Sequence, residues 1–218
     1  VIGLREGRRG ELDPAGLRVL SPDLGQADAV LMGPGMGPDG APAARSFVRM
    51  FGAHAPASST LILDAGGLMA LERDKPLPRR GTPVIVTPHS GEMARLWGVD
   101  VSAVRRHPLA IAREAAAHFG MTVVLKGEMT YIATAGRTLV NDAGTVGLGT
   151  AGSGDVLAGI IAGLCARGAT ADQAAAWGVY LHAKAGEELS RHIGPLGFLA
   201  RELLDDVPRL MARIGRAT

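Results

Sequence analysis

The segment VGLGTAGSGDVLAGIIAGLCARG, residues 146–168, sets Gly147, Gly149, Gly152 and Gly154 ahead of an apolar run and places one carboxylate, Asp155, at the join. Gly152, Ser153 and Gly154 would present backbone N–H groups at the start of a helix, where lack of bulk admits an anion and the helix dipole favours it. A carboxylate there opposes an anion. Asp155 becomes useful if it takes the proton from a hydroxyl that attacks a bound phosphoryl group. Its plainer reading is a first-turn acid that favours the helix start. The spacing Gly147-x-Gly149-x-x-Gly152 also matches the dinucleotide fingerprint, but ARGATADQAAAWG runs from one helix into another, with Asp172 reading as a helix cap. No Walker A lysine follows the glycines.

Other side chains could join this chemistry. Lys126 stands at the end of an apolar run in VVLKGEMT, where, taken locally, the solvated surface lysine is the favoured reading. His89, in TPHSGE, offers one donor and one acceptor when neutral. Glu92 follows three residues later and suits the first turn of a helix. Gly35 and Gly37 allow close approach to the backbone or form an ordinary turn. The 6 histidines are dispersed and the 1 cysteine, Cys165, falls on an apolar helical pattern, so no permanent metal site or disulfide framework is expected.

These residues need elements to position them. Four continuous apolar runs, at 29–33, 60–65, 83–89 and 122–127, read as strands covered on both faces. Helical patterns lie between them at 41–54, 66–72, 91–97 and 108–119, the last starting at Pro108. Residues 131–141 read as an antiparallel pair, and helices follow at about 154–167, 172–192 and 198–214. This alternation predicts an α/β domain spanning 1–218, with a mostly parallel sheet and helices on both sides. Ligands in such sheets sit beyond the carboxyl ends of the strands. GPGMG, DAGG, TPHSGE and KGEMT follow the four runs in turn.

The 218 residues, 47% hydrophobic and 20% charged, suffice for one sizeable core. A net charge of +2, basic residues scattered apart from pairs such as Arg79-Arg80 and Arg105-Arg106, and 4% aromatic content argue against nucleic-acid binding. No run is long enough to span a bilayer, and the cysteine usage fits a reducing, cytoplasmic setting.

GTAGSGDVLAGIIAGL is similar to the signature of ribokinase-like enzymes. In detail it resembles the ADP- or ATP-dependent NAD(P)H-hydrate dehydratases, repair enzymes for hydrated nicotinamide cofactors. ADAVLMGPGMG, LILDAGGL, VIVTPHSGEMARLWG, VVLKGEMTYIA and GFLARELLDDVPRLM extend the resemblance over about residues 27–211. It implies a three-layer αβα ribokinase-like fold and a two-stage reaction: the terminal phosphate of ADP or ATP moves to the hydroxyl of the hydrated ring of NAD(P)HX, and phosphate then leaves. It also implies Asp155 as the base, with the amides of residues 152–154 on the transferred phosphate. Lys126, Gly127, Glu128, Met129, Thr130 and Gly154 would line the nucleotide site. Gly35, Gly37, His89 and Asp155 would contact NAD(P)HX, and Glu92 would organise Mg2+. A symmetric homo-oligomer and a functional partnership with an NAD(P)HX epimerase belong to the same expectation.

Two departures stand out. Gly66-Gly67 replaces the acid and small residue usual after LILDA, and the family's usual N-terminal strand-helix unit, with its GGS segment, is expected to be lacking. Two rival readings follow: a hydroxymethylpyrimidine- or hydroxyethylthiazole-type small-molecule kinase, against which TPHSGE argues, and a nucleotide-binding protein without turnover.

Overall fold

The structure, a computed structural model, describes residues 1–8, 10–74 and 81–214; the Arg79-Arg80 pair lies outside them. A 3-10 helix at Pro14–Leu20 leads through α1 (Ser21–Leu24) into β1 (Ala29–Met32), α2 (Ala41–His54) and β2 (Thr60–Leu63). Next come β3 (Val84–Val86), α3 (Ser90–Trp97), α4 (Val101–Arg106), α5 (Pro108–Phe119) and β4 (Thr122–Leu125). The hairpin of β5 (Thr130–Ala133) and β6 (Thr138–Asn141) precedes α6 (Ser153–Ala166), α7 (Ala171–His192) and α8 (Leu203–Ile214).

The strands form one sheet in the order β1-β2-β3-β4-β5-β6. Strands β1 to β4 are parallel, whereas β4–β5 and β5–β6 are antiparallel. Alternate residues of the central strands face opposite sides, as the strand period requires. Leu61, Leu63, Val84, Val86, Val123 and Leu125 join a core with α2, α3 and α5, while Ile62, Ile85, Val124 and Ile132 pack against α6 and α7. The result is the expected three-layer αβα arrangement. Helix α8 forms a further core with α6 and α7 through Leu210, Ile160 and Leu181.

Helices α2 and α5 run over the residues their patterns predicted, each with proline at its first or second position. Other segments differ. The expected helix at 66–72 is a 3-10 turn, Ala65–Ala70, and the last helix divides into a 3-10 turn, Ala200–Glu202, and α8. Residues 101–106, given no element from sequence, form α4, which leaves Arg105 and Arg106 exposed. Asp172 is not the cap of α7: Thr170 holds that position, and its N–H donates to Gln173 Oε1 at 3.2 Å. Asp172 instead accepts from the Thr170 hydroxyl and pairs with Arg137, fastening the β5–β6 hairpin to α7. Among the described residues no strand precedes β1, an outer strand of the sheet. No described helix is long and apolar enough to cross a membrane.

Cys165 is buried in the α6 face as expected, and burial pushes its thiol pKa up against the opposing bond to Thr60. The crossing of α6 and α7 is equally tight. A Cβ on Gly178 would lie 2.5 Å from Ile161 Cγ1 and 3.4 Å from its Cα. Because Ile161 is fully enclosed, Gly178→Ala is expected to cost about 1–3 kcal/mol. Denaturant titration checks this.

Candidate active site

Every polar group considered above as a site residue lies beyond the carboxyl ends of β1 to β4 or at the start of α6. Asp64 directly follows β2 and is 1% exposed. Its Oδ1 accepts from Lys126 Nζ at 2.8 Å and from Thr87 Oγ1 at 2.6 Å. Ala65 has φ 44, a left-handed backbone whose cost for a non-glycine residue is about 1–3 kcal/mol. That turn breaks the strand direction immediately after Asp64. The loop after β1 packs so closely here that a Cβ on Gly33 would sit 1.7 Å from the Asp64 carbonyl oxygen.

Lys126 follows β4, held by its N–H to the Pro88 carbonyl at 2.9 Å and by a parallel bridge to His89. Its ammonium reaches the first turn of α6, where a Cβ on Gly154 would lie 3.1 Å from Nζ. An ammonium has three donor hydrogens, so the bond to Asp64 leaves two for a ligand.

Gly152 caps α6 with φ 83, a conformation open to glycine at no steric cost. The Ser153 N–H is already given to the Thr150 carbonyl at 3.2 Å, and Val156 N–H to Gly152 O at 3.0 Å. Among the described residues, the amides of Gly152, Gly154 and Asp155 are therefore the donors open at this end, whereas the Ser153 amide, expected beside them, is already bonded. Asp155 is exposed on the same turn.

His182 on α7 is 8% exposed, with Nε2 2.9 Å from Ser153 Oγ and 3.0 Å from Ser153 O. Burial lowers its pKa to about 4; the Ser153 carbonyl opposes this and the Lys126 charge adds to it. The unfolded ring, with its ordinary pKa of 6.5, binds more protons than the folded ring between those values. This contribution to stability is present above pH 6.5 and is lost as pH falls through about 4. It amounts to about 3 kcal/mol at the acid limit. His182→Gln should flatten that part of the pH dependence in denaturant melts.

Two cavities meet at residues 126–128. One, of about 650 Å³, joins Lys126, Gly127, Glu128 and Thr130 to Ser153, Gly154 and His182, with the segment after β6 forming another wall. The second, of about 850 Å³, shares Lys126, Gly127 and Glu128 and adds His89, Met129, Arg105 and Tyr131. Met129 therefore lines the cavity of His89, whereas its expected neighbours Lys126, Gly127 and Glu128 line both. Gly35 and Gly37 line a third cavity of about 320 Å³ beneath the Glu6–Leu12 bridge.

Glu92 is engaged locally. Its Oε2 accepts the His89 N–H at 2.8 Å, and His89 Nδ1 accepts the Gly91 N–H at 2.9 Å, a capping box at the start of α3. Its other oxygen lies 3.3 Å from His89 Nε2. Glu92 thus serves the helix end through these contacts, and its two oxygens retain further acceptor sites. Among the described residues no three histidine, cysteine or carboxylate groups gather to hold a metal. The described residues are compatible with an ion carried on phosphate oxygens.

Asp64, Thr87 and His182 were not singled out from sequence. Asp64 had a usable signal, an acid closing a fully apolar run. For His182 the signal was a ring on the buried face of α7, one turn from Val179.

The profile of the family described as NAD(P)H-hydrate dehydratase matches residues 13–209. An ADP-dependent (S)-NAD(P)H-hydrate dehydratase of Xanthomonas campestris is 43% identical over 217 residues, 99% of this chain and 72% of that protein. A bifunctional NAD(P)H-hydrate repair enzyme of Moorella thermoacetica is 37% identical over 98% of this chain, which spans 40% of it. The solved ADP/ATP-dependent dehydratase of Bacillus subtilis, co-crystallised with ATP and Mg2+, has a TM-score of 0.74 and 31% identity, over 92% of this chain and 75% of that one. With the matched profile covering the sheet, the Asp64–Lys126 pair and the open start of α6, the chain belongs to the NAD(P)H-hydrate dehydratase family.

Proposed function

We propose that this chain returns NAD(P)HX to NAD(P)H at the expense of ADP or ATP. The observation that carries the reading is the Lys126 ammonium, anchored on buried Asp64 and set against Gly154 at the start of α6. Two spare ammonium hydrogens and the open amides converge there on space suited to a terminal phosphate. Lys126, Gly127, Glu128 and Thr130 line the nucleotide side, and His89 and Met129 border the second cavity, which takes the hydrated dinucleotide. Gly35 and Gly37 supply a more distant wall for the same substrate.

Asp155 takes the proton of the ring hydroxyl as its oxygen forms a bond to the terminal phosphorus and the bond from that phosphorus to the nucleotide breaks. The carbon–oxygen bond then breaks, phosphate departs with the electron pair, and the neighbouring carbon loses a proton as the double bond forms. Magnesium, when bound with the nucleotide, would supply charge neutralisation at its phosphates.

The test supplies NADHX, magnesium and either ADP or ATP and follows the return of NADH absorbance. Nucleotide-dependent recovery is the expected result and names the donor. Binding of ADP without recovery makes the chain a nucleotide-binding protein and overturns the assignment. The same reading includes a cytoplasmic homo-oligomer that works beside an NAD(P)HX epimerase. The bifunctional relatives, of which the Moorella protein is one, favour that partnership.

A further inference from the structure

His182 and Ser153 are 29 residues apart in sequence, and the contact between them is buried. The carbonyl oxygen of Ser153 is only an acceptor, so the ring nitrogen 3.0 Å from it must carry the hydrogen. The neutral ring is thereby fixed as the Nε2–H tautomer, with Nδ1 bare. The same nitrogen is 2.9 Å from Ser153 Oγ, so one hydrogen is shared between two oxygens of one residue. Because Oγ accepts there, its own hydrogen turns away from the ring. Ser153 and His182 both line the cavity beside Lys126.

We propose that His182 is a positioning residue. It clamps Ser153 so that the first turn of α6 holds its open amides, and the Ser153 hydroxyl hydrogen, toward the phosphate of the bound nucleotide. The inference rests on the proposed nucleotide site. It adds a hydroxyl donor to the backbone amides and makes the geometry of those amides depend on a side chain from α7. Helix α6 would otherwise begin at Gly152, whose left-handed backbone leaves this end little stiffness of its own. Phosphoryl transfer is sensitive to donor placement, so a loosened turn lowers turnover more than it weakens binding.

The test has two parts. In the unsubstituted protein, nitrogen chemical shifts of the His182 ring should report a protonated Nε2 and a bare Nδ1 at neutral pH, with the Nε2 signal moving when ADP is added. A protonated Nδ1 overturns the proposal without need of any variant. The second part compares His182→Leu, which removes the donor, with His182→Gln, whose amide reaches a similar position. His182→Leu should lower kcat by about ten- to a hundredfold with a smaller rise in the KM for nucleotide, and His182→Gln should recover most of kcat. Equal losses in the two folded variants, or no loss in His182→Leu, overturn the proposal. Failure of the proposed function looks different: the unsubstituted protein then shows no nucleotide-dependent recovery of NADH at all.

Discussion

Asp155→Asn lowers nucleotide-dependent turnover by about two to four orders of magnitude while ADP affinity stays level or tightens slightly. The amide keeps the size of the carboxylate but cannot take the hydroxyl proton. The direction for binding follows from charge, since Asp155 lies in the first turn of α6 beside the amides proposed to receive the phosphate. Removing a negative charge there relieves repulsion of the anion. Asp155 is exposed, and its favourable interaction with the helix dipole is worth about 0.3–1 kcal/mol, so the variant should fold. Steady-state kinetics with calorimetric titration of ADP separates the two effects. Turnover within about a factor of ten of the unsubstituted protein would remove Asp155 from proton transfer.

The second large effect concerns stability as well as activity. Lys126→Met keeps the length and bulk of the side chain but leaves Asp64 charged at 1% exposure, with the Thr87 hydroxyl as its remaining side-chain partner. Breaking a buried pair in this way costs about 3–5 kcal/mol, mostly from the stranded charge. Lys126 borders a cavity, which places the expected loss near the lower end of that range. Asp64→Asn in the same chain removes the stranded charge and should return most of the stability. Activity should not return with it, because the ammonium proposed to meet the phosphate is still missing. Denaturant melts of the two single variants and the double, read beside the KM for nucleotide, test both statements. A double variant as unstable as Lys126→Met would show that packing, not charge, accounts for the loss.

The sequence made the layers of this molecule readable because proline, glycine and apolar runs act locally. Pro108 and Gly120 bracket α5, and continuous apolar stretches mark the four parallel strands. Helix α4 escaped because six residues carry less than two turns of pattern and its end abuts Pro108. The glycine-led start of α6 was legible for the same local reason. Its supports were not: Asp64 meets Lys126 across 62 residues, and His182 meets Ser153 across 29. Such contacts depend on which strands become neighbours and which helices cover them. Glu92 shows a local role, the cap of α3, beside the metal role its family resemblance implies.

The two larger cavities share the segment Lys126–Glu128 as a common partition. On the proposed function, a molecule seated on one side touches the same backbone that forms the other side, which would give the two occupancies a route to thermodynamic linkage. Reciprocity then fixes a rule: whatever factor ADP imposes on the dissociation constant of the dinucleotide, the dinucleotide imposes on that of ADP. Order of addition can change the route to the ternary complex but not its depth. On that reading the partition would let each substrate register the presence of the other before any bond is made or broken.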